Sequence, residues 1–157
     1  MDPGDRINEH GAVAVHGIRP FDLAGAPSQE VAKAVLSDAL DRRILVAWHA
    51  DVEAGYLAGL FGVPPRSWLR RTVDVRDLLI ELEGEQVARL SLAESAVRHG
   101  VPVSDPHHAL DDAVVTAQLL LIVATALERR DGPRSVGDLM DTRPMPPPIL
   151  RRPRAPL

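Results

Sequence analysis

Residues 44–61 read ILVAWHADVEAGYLAGLF and join a β-branched run directly to a helical pattern. The run at residues 44–48 is short and apolar, which is typical of a buried strand. From residue 52 to residue 61 apolar side chains recur at helical spacing, and Gly62 and Pro64 then end the pattern. A strand followed at once by a helix is the repeating unit of an α/β domain, so this stretch indicates the fold class.

The same alternation continues on both sides of this stretch. Ser28 and Ser135 are placed to cap helices, and Gly100 is placed to close one. Further strands are predicted at residues 12–15 and 72–75. Helices are predicted at residues 29–42, 76–83, 90–99, 109–130 and, last, 135–140. Together these elements predict one α/β domain over residues 1–142.

Length and composition indicate one soluble domain. The chain has 157 residues and a mass of 17.0 kDa, with 45% hydrophobic and 25% charged residues and a net charge of −4. The N-terminus lacks the basic and then apolar order of a secretory signal, and we find no unbroken run of about 18 apolar residues. These features predict a cytoplasmic protein that does not act on a membrane.

Residue usage narrows the chemistry. With no cysteine in the sequence, a disulfide framework, a thiolate zinc site, an iron–sulfur cluster and a cysteine nucleophile are all excluded. A pI of about 5.8 argues against a protein that coats nucleic acid, although an enzyme that reaches one strand end through metal ions can be acidic. The 3% aromatic content argues against broad base-stacking surfaces.

The C-terminal segment differs from the rest of the chain. Residues 143–157 read RPMPPPILRRPRAPL, and so many prolines prevent a regular helix or sheet. We predict a disordered tail rich in proline and arginine. Its four arginines could contact nucleic acid, but a solvated terminus is the favoured interpretation.

The stretch DPHHALDDA at residues 105–113 places histidines and aspartates at the start of the longest predicted helix. Helical residues five positions apart are rotated by about 140° from each other, so His107 and Asp112 converge only if His107 precedes the helix. Pro106 favours that arrangement. The other interpretation is that the acids only stabilise the helix N-terminus, where each negative charge contributes ~0.3–1 kcal/mol.

A second acidic group follows the strand at residues 44–48. Glu53 shares helical spacing with Leu57 and Phe61, so it is predicted to lie on the apolar face, where a carboxylate needs a partner. Asp51 is predicted to be the N-cap of this helix, which is an ordinary structural role.

Two of these stretches resemble sequence motifs of a known family. Residues 46–57, VAWHADVEAGYL, resemble the second motif of the DnaQ-like DEDDh 3′–5′ exonucleases, a strand and then a helix with a metal-binding acid. Residues 107–113, HHALDDA, resemble the third motif, a histidine followed five positions later by an aspartate. Weaker similarity at residues 16–18 and 90–101 extends the resemblance over about residues 10–130.

The resemblance implies an RNase H-like α/β fold and hydrolysis of DNA or RNA from the 3′ end. It also implies two Mg²⁺ or Mn²⁺ ions, about 4 Å apart, that clamp the scissile phosphate. Glu53 and Asp112 are the implied metal ligands, and His107 is the implied general base. His108 receives no role.

The chain departs from the family pattern in two places. Glu53 stands where the family has an aspartate, and His49 stands where it has an asparagine. The first motif, an Asp-x-Glu on the opening strand, has no counterpart, so we predict an N-terminally incomplete domain with a reduced sheet flanked by helices. Two carboxylates hold two hydrated divalent ions poorly, which predicts a weak or inactive catalyst.

Three explanations for the missing motif stay open: a start site placed too far downstream, a remnant that no longer cleaves, and a chain completed by a partner. A sheet without its middle strand exposes an edge that favours pairing with another protein or a second copy.

Three functions follow from these observations. The leading interpretation is a metal-dependent 3′–5′ exonuclease-type domain. The alternative is a noncatalytic interaction module that keeps the same scaffold. The third is an unrelated small α/β domain whose motifs match by accident.

Overall fold

The computed structural model describes Val13 and residues 17–142. The predicted strand at residues 12–15 and the motif residue His16 therefore lie outside the described residues, Val13 excepted. The tail at residues 143–157 also lies outside them.

Two short parallel strands form the sheet of the described part. Strand β1 is Leu45–Ala47 and strand β2 is Thr72–Asp74, with Val46 opposite Val73. Both strands lie within the predicted ranges. The connection between the strands contains two helices. Parallel strands require a long crossover of this kind.

Helices make up most of the described chain. They are α1 Gln29–Leu40, α2 Ala50–Phe61, α3 Pro65–Leu69, α4 Val75–Glu83, α5 Leu92–Arg98, α6 Ala109–Asp131 and α7 Val136–Asp141, with 3₁₀ turns at Pro20–Leu23 and Glu85–Val87. The described part is therefore mostly helical with a two-stranded sheet, and the RNase H-like fold class stays a prediction.

Local capping explains why the helix bounds match the predicted ones within two residues. The Ser28 side chain accepts a hydrogen bond from the Val31 amide, and Ser135 accepts one from the Asp138 amide. Gly62 adopts the left-handed conformation that ends α2 (φ 68°), and Gly100 does the same after α5 (φ 71°).

Helix α3 was not predicted. Pro64 was interpreted only as the residue that ends α2, but Pro64 and Pro65 stand at the start of α3. Proline is well suited to the first helical position because its missing N–H has no intrahelical acceptor there and its φ angle is already helical.

The core is built around α6, which packs against α4, α5 and β1. One buried cluster contains Val73, Leu78, Leu79, Ile80, Val87, Val123 and Leu127; a second contains Val75, Ala96, Val101, Val115 and Leu119. Val46 and Trp48 pack against both clusters. The end of β1 is thereby covered by α6.

The two clusters also fix the direction of α6. Val73 of β2 belongs to the same buried cluster as Val123, whereas Val75, which directly follows β2, belongs to the cluster that contains Val115 and Leu119. Helix α6 therefore runs in the direction opposite to the strands, with its N-terminus towards their carboxyl ends. The first turn of α6 consequently lies at the carboxyl edge of the sheet.

Candidate functional site at the carboxyl edge of the sheet

Asp74, the last residue of β2, joins two helices at the carboxyl edge. Its Oδ2 accepts a hydrogen bond from the Ala50 amide at 2.7 Å, and its Oδ1 accepts bonds from the amides of Arg76 (3.0 Å) and Asp77 (3.2 Å). One carboxylate therefore caps both α2 and α4. This role of Asp74 was not predicted, although an aspartate directly before a helical pattern is a known N-cap signal.

The prediction that Asp51 caps α2 is wrong. The N-cap position is His49, whose side chain makes no capping bond, and Asp51 is an exposed residue of the first turn. The physical reason is that the carboxylate of Asp74 reaches the start of α2 from the neighbouring strand. The helix therefore begins before Asp51.

The prediction that Glu53 lies on the apolar face of α2 is also wrong. The buried face consists of Ala50, Ala54 and Ala58, and Glu53 is exposed. At about 100° per residue, Glu53 is rotated a quarter turn away from Ala54, which places it at the border of that face.

The Glu53 carboxylate has no hydrogen-bond partner within the described part of the chain. Partial loss of hydration raises its pKa above the ordinary value, and the nearby His49 side chain acts in the opposite direction. A carboxylate in this state gains from a positive ligand, because a cation would offset the lost hydration.

Asp112 lies in the first turn of α6 and is half-buried. Its position is rotated by only ~20° from Leu119, on the face that packs on the end of β1. Because the N-terminus of α6 lies at the carboxyl edge of the sheet, we infer that Asp112 lies at the edge where α2 begins. Within α6, the Thr116 hydroxyl donates to the Asp112 carbonyl at 2.7 Å.

His107 precedes α6, as predicted. Its φ angle is 71°, which lies outside the helical region, and the residue is exposed. His108 takes the N-cap position, and no side-chain bond from it caps the helix. The loop therefore presents one imidazole next to the first turn that carries Asp112.

The donor set at this edge is small. Among Val13 and residues 17–142, no three histidine, cysteine, aspartate or glutamate side chains lie close enough to hold a metal ion together. Glu53 and Asp112 lie in the first turns of α2 and α6. A metal pair requires a separation of ~5–8 Å between their carboxylates, and this separation stays a prediction.

A cavity of about 220 Å³ opens on the β2 side of the same edge. Its lining includes Asp51, Asp74 and Asp77, with Met140 and Thr142 from the end of α7. Glu53, His107 and Asp112 do not line it. Both oxygens of Asp74 already accept capping bonds, so we do not assign the nucleic-acid site to this cavity.

A polar link between α4 and α5 was not predicted either. The His99 Nε2 lies 2.7 Å from Glu83 Oε1, its Nδ1 lies 2.8 Å from the Ser95 carbonyl, and Arg98 donates to Glu83 at 2.9 Å. This link fastens two helix ends together and lies within the helical scaffold. No local sequence signal predicts it, because Glu83 and His99 are far apart in the chain.

The chain matches none of the protein families, curated proteins or solved structures with which it was compared. Function must therefore be argued from the residues at the carboxyl edge.

Proposed function

We propose that this chain is an exonuclease-type domain that binds the 3′ end of DNA or RNA at the carboxyl edge of its sheet. Glu53, His107 and Asp112 form the proposed site. The observation that supports it best is the position of Asp112 in the first turn of α6, on the helix face that packs against Val46 and Trp48.

The donor chemistry supports a divalent cation only in part. Glu53 and Asp112 offer the carboxylate oxygens that Mg²⁺ or Mn²⁺ prefers. Two carboxylates are too few to hold a pair of such ions, which need several protein ligands to fix their geometry. The residues of the described chain therefore do not fit a complete two-metal centre, and we derive no hydrolytic step through one.

The protein's own residues still account for binding. A cation shared by Glu53 and Asp112 would attract a phosphate, whereas the bare acidic edge would repel it. The exposed imidazole of His107 stands beside α6 and can donate to a phosphate oxygen or accept from a terminal hydroxyl. We therefore expect metal-dependent binding of a 3′ end, with slow or no cleavage by this chain alone.

Fluorescence anisotropy with single-stranded DNA and RNA of equal length tests this proposal. We expect Mn²⁺-dependent binding that is stronger for a free 3′-hydroxyl than for a blocked 3′ end, and at least ~10-fold weaker for Asp112→Asn. Asp51→Asn is the matched control, because it removes an exposed carboxylate from the same edge. Binding that does not depend on Mn²⁺, or that Asp51→Asn weakens as much as Asp112→Asn, would contradict the proposal.

Release of nucleotides from a labelled 3′ end measures catalysis separately. We expect little or no Mn²⁺-dependent release. Rapid release that Asp112→Ala abolishes would show that the two carboxylates suffice or that another subunit completes the site. In that case the argument from the number of ligands is wrong, and the exonuclease assignment is strengthened.

The absence of a three-ligand group among the described residues favours one alternative, a noncatalytic module that keeps this scaffold. Such a module would show no Mn²⁺ dependence in either assay. Its contacts would involve the exposed apolar surface of the helices instead of the carboxyl edge.

A further inference from the structure

The outer face of α6 carries an exposed apolar stripe. The stripe consists of Leu110, Val114, Ala117, Leu121 and Ala124, at alternating spacings of four and three residues. Leu110, Val114 and Leu121 expose 65%, 47% and 68% of their surface. This spacing is the seam pattern of helices that pair along their length.

The stripe lies opposite the face of α6 that builds the core. It is centred about 180° from Leu119, and no charged residue occurs between Asp112 and Glu128. An 18-residue window of α6 has a mean hydropathy of 1.7, long and apolar enough to cross a membrane, yet only 28% of that window is buried. Much of the apolar surface of α6 therefore faces outward and calls for a partner.

We propose that this stripe pairs with the same stripe of a second copy of the chain, with the two α6 helices antiparallel. When the helices cross at the level of residue 119, Leu121 faces Ala117 of the second copy. In the same register Val114 faces Ala124. Leu121 and Val114 then each meet a small side chain, which lets the two helices approach closely without a clash.

The charges at the two ends of the stripe complement each other in this orientation. The first turn of α6 carries Asp111 and has no side-chain cap, so its free amides favour a negative partner. The register brings Glu128 of the second copy to these amides, and Arg129 of the second copy close to Asp111. Within residues 17–142 neither Glu128 nor Arg129 has an ion-pair partner.

The dimer surface is separate from the proposed nucleic-acid site. Asp112 lies on the core face of α6, so pairing through the outer face leaves it accessible. The surface also differs from the sheet edge at which the sequence analysis expected a partner. The seam is about 21 Å long, which is small for a specific interface, so we expect a dissociation constant in the micromolar range.

Sedimentation velocity of the full chain tests the dimer. Between about 1 and 300 μM we expect the mass to rise from 17.0 kDa towards twice that value. Leu121→Glu should keep the chain monomeric. The matched control is Val97→Glu, which changes a valine on α5 that is 72% exposed, and it should leave the dimer intact.

Circular dichroism verifies that both variants keep the helical fold. A wild-type chain that stays monomeric over this range would overturn the proposal. So would a dimer that Leu121→Glu leaves unchanged, because its interface would lie elsewhere, for example at the sheet edge. The stripe would instead bind a lipid surface if the wild-type chain pellets with vesicles, Leu121→Glu does not pellet, and no dimer forms in solution.

Charge exchange tests the register. Asp111→Arg and Arg129→Glu should each weaken the dimer by ~2–10-fold, and the double variant should restore it. Failure of the double variant to recover would contradict the pairing of these two ends.

Cross-linking tests the orientation, because the native sequence contains no cysteine. In an antiparallel pair two copies of residue 117 lie ~6 Å apart along the axis, whereas two copies of residue 110 lie ~27 Å apart. A short bismaleimide should therefore cross-link Ala117→Cys but not Leu110→Cys, since its spacer spans more than the Cα separation of a disulfide. Equal cross-linking of both variants would indicate a parallel pair and overturn the proposed orientation.

Discussion

The carboxyl ends of the two parallel strands use their acidic side chains in opposite ways. At the end of β2, three backbone amides from two helices donate to Asp74. After β1, Glu53 has no hydrogen-bond partner among the described residues, and its pKa is raised. The difference separates an acid that holds the fold together from an acid whose carboxylate no described residue engages.

The largest effect is expected for Asp74→Ala, which removes the cap of α2 and the cap of α4 together. Each cap contributes about 1–2 kcal/mol, so we expect the free energy of unfolding to fall by about 2–4 kcal/mol. Urea denaturation measures this loss. Asp51→Ala, on the same edge, should change it by less than about 0.5 kcal/mol, and equal losses in the two variants would contradict the assigned caps.

A smaller loss of stability is expected when the ion pairs of Arg134 are removed. These ion pairs join α4 to the C-terminal end of α6. Arg134 donates to Glu81 at 3.1 Å and to Asp131 at 2.7 Å. Bonding to Arg134 lowers the pKa of Glu81, and bonding to Arg130 lowers the pKa of Asp131 to about 2. The interactions that lower these pKa values stabilise the folded state at pH values above the ordinary carboxyl pKa.

We therefore expect Arg134→Ala to lower the midpoint of urea unfolding at pH 7. The loss should shrink as the pH falls from the ordinary carboxyl range through about 2, the folded-state pKa of Asp131, and it should disappear only below pH 2, where the acids are protonated in both states. Denaturation at several pH values checks this dependence. A loss that is the same at pH 7 and pH 2 would show that Arg134 acts through packing instead of charge.

The smallest effect, of opposite sign, is expected for Glu53→Gln. A raised carboxyl pKa means that the folded state disfavours the charge, so stability decreases as the pH rises through the range just above the ordinary value. Replacing the charge should stabilise the chain at pH 7 by about 0.5 kcal/mol or less, since the residue is exposed. The gain should vanish below about pH 4, and a destabilised Glu53→Gln at pH 7 would show that Glu53 has a structural partner.

Local chemistry explains which parts of the fold were predictable. The bounds of α1 and α7 follow from serine caps, and the ends of α2 and α5 follow from Gly62 and Gly100, because these signals act within a few residues. Sequence also indicated that His107 precedes α6, since Pro106 interrupts the helical pattern.

The remaining features depend on residues that are distant in sequence. Asp74 caps α2 across 24 positions, and this contact exists only once β1 and β2 pair. The exposure of Glu53 depends on which face of α2 packs, and three alanines take that face where sequence spacing had favoured larger apolar side chains. Patterns within one helix cannot decide between two adjacent faces.

The proposed sharing of one cation by Glu53 and Asp112 can be examined by paramagnetic broadening with Mn²⁺. In an amide-resolved NMR spectrum of the full chain, a substoichiometric amount of Mn²⁺ should broaden the signals of Glu53 and Asp112 at the same concentration. Asp112→Asn should reduce the broadening at both positions. Broadening confined to Asp51, Asp74 and Asp77, with Glu53 and Asp112 unaffected, would contradict the account.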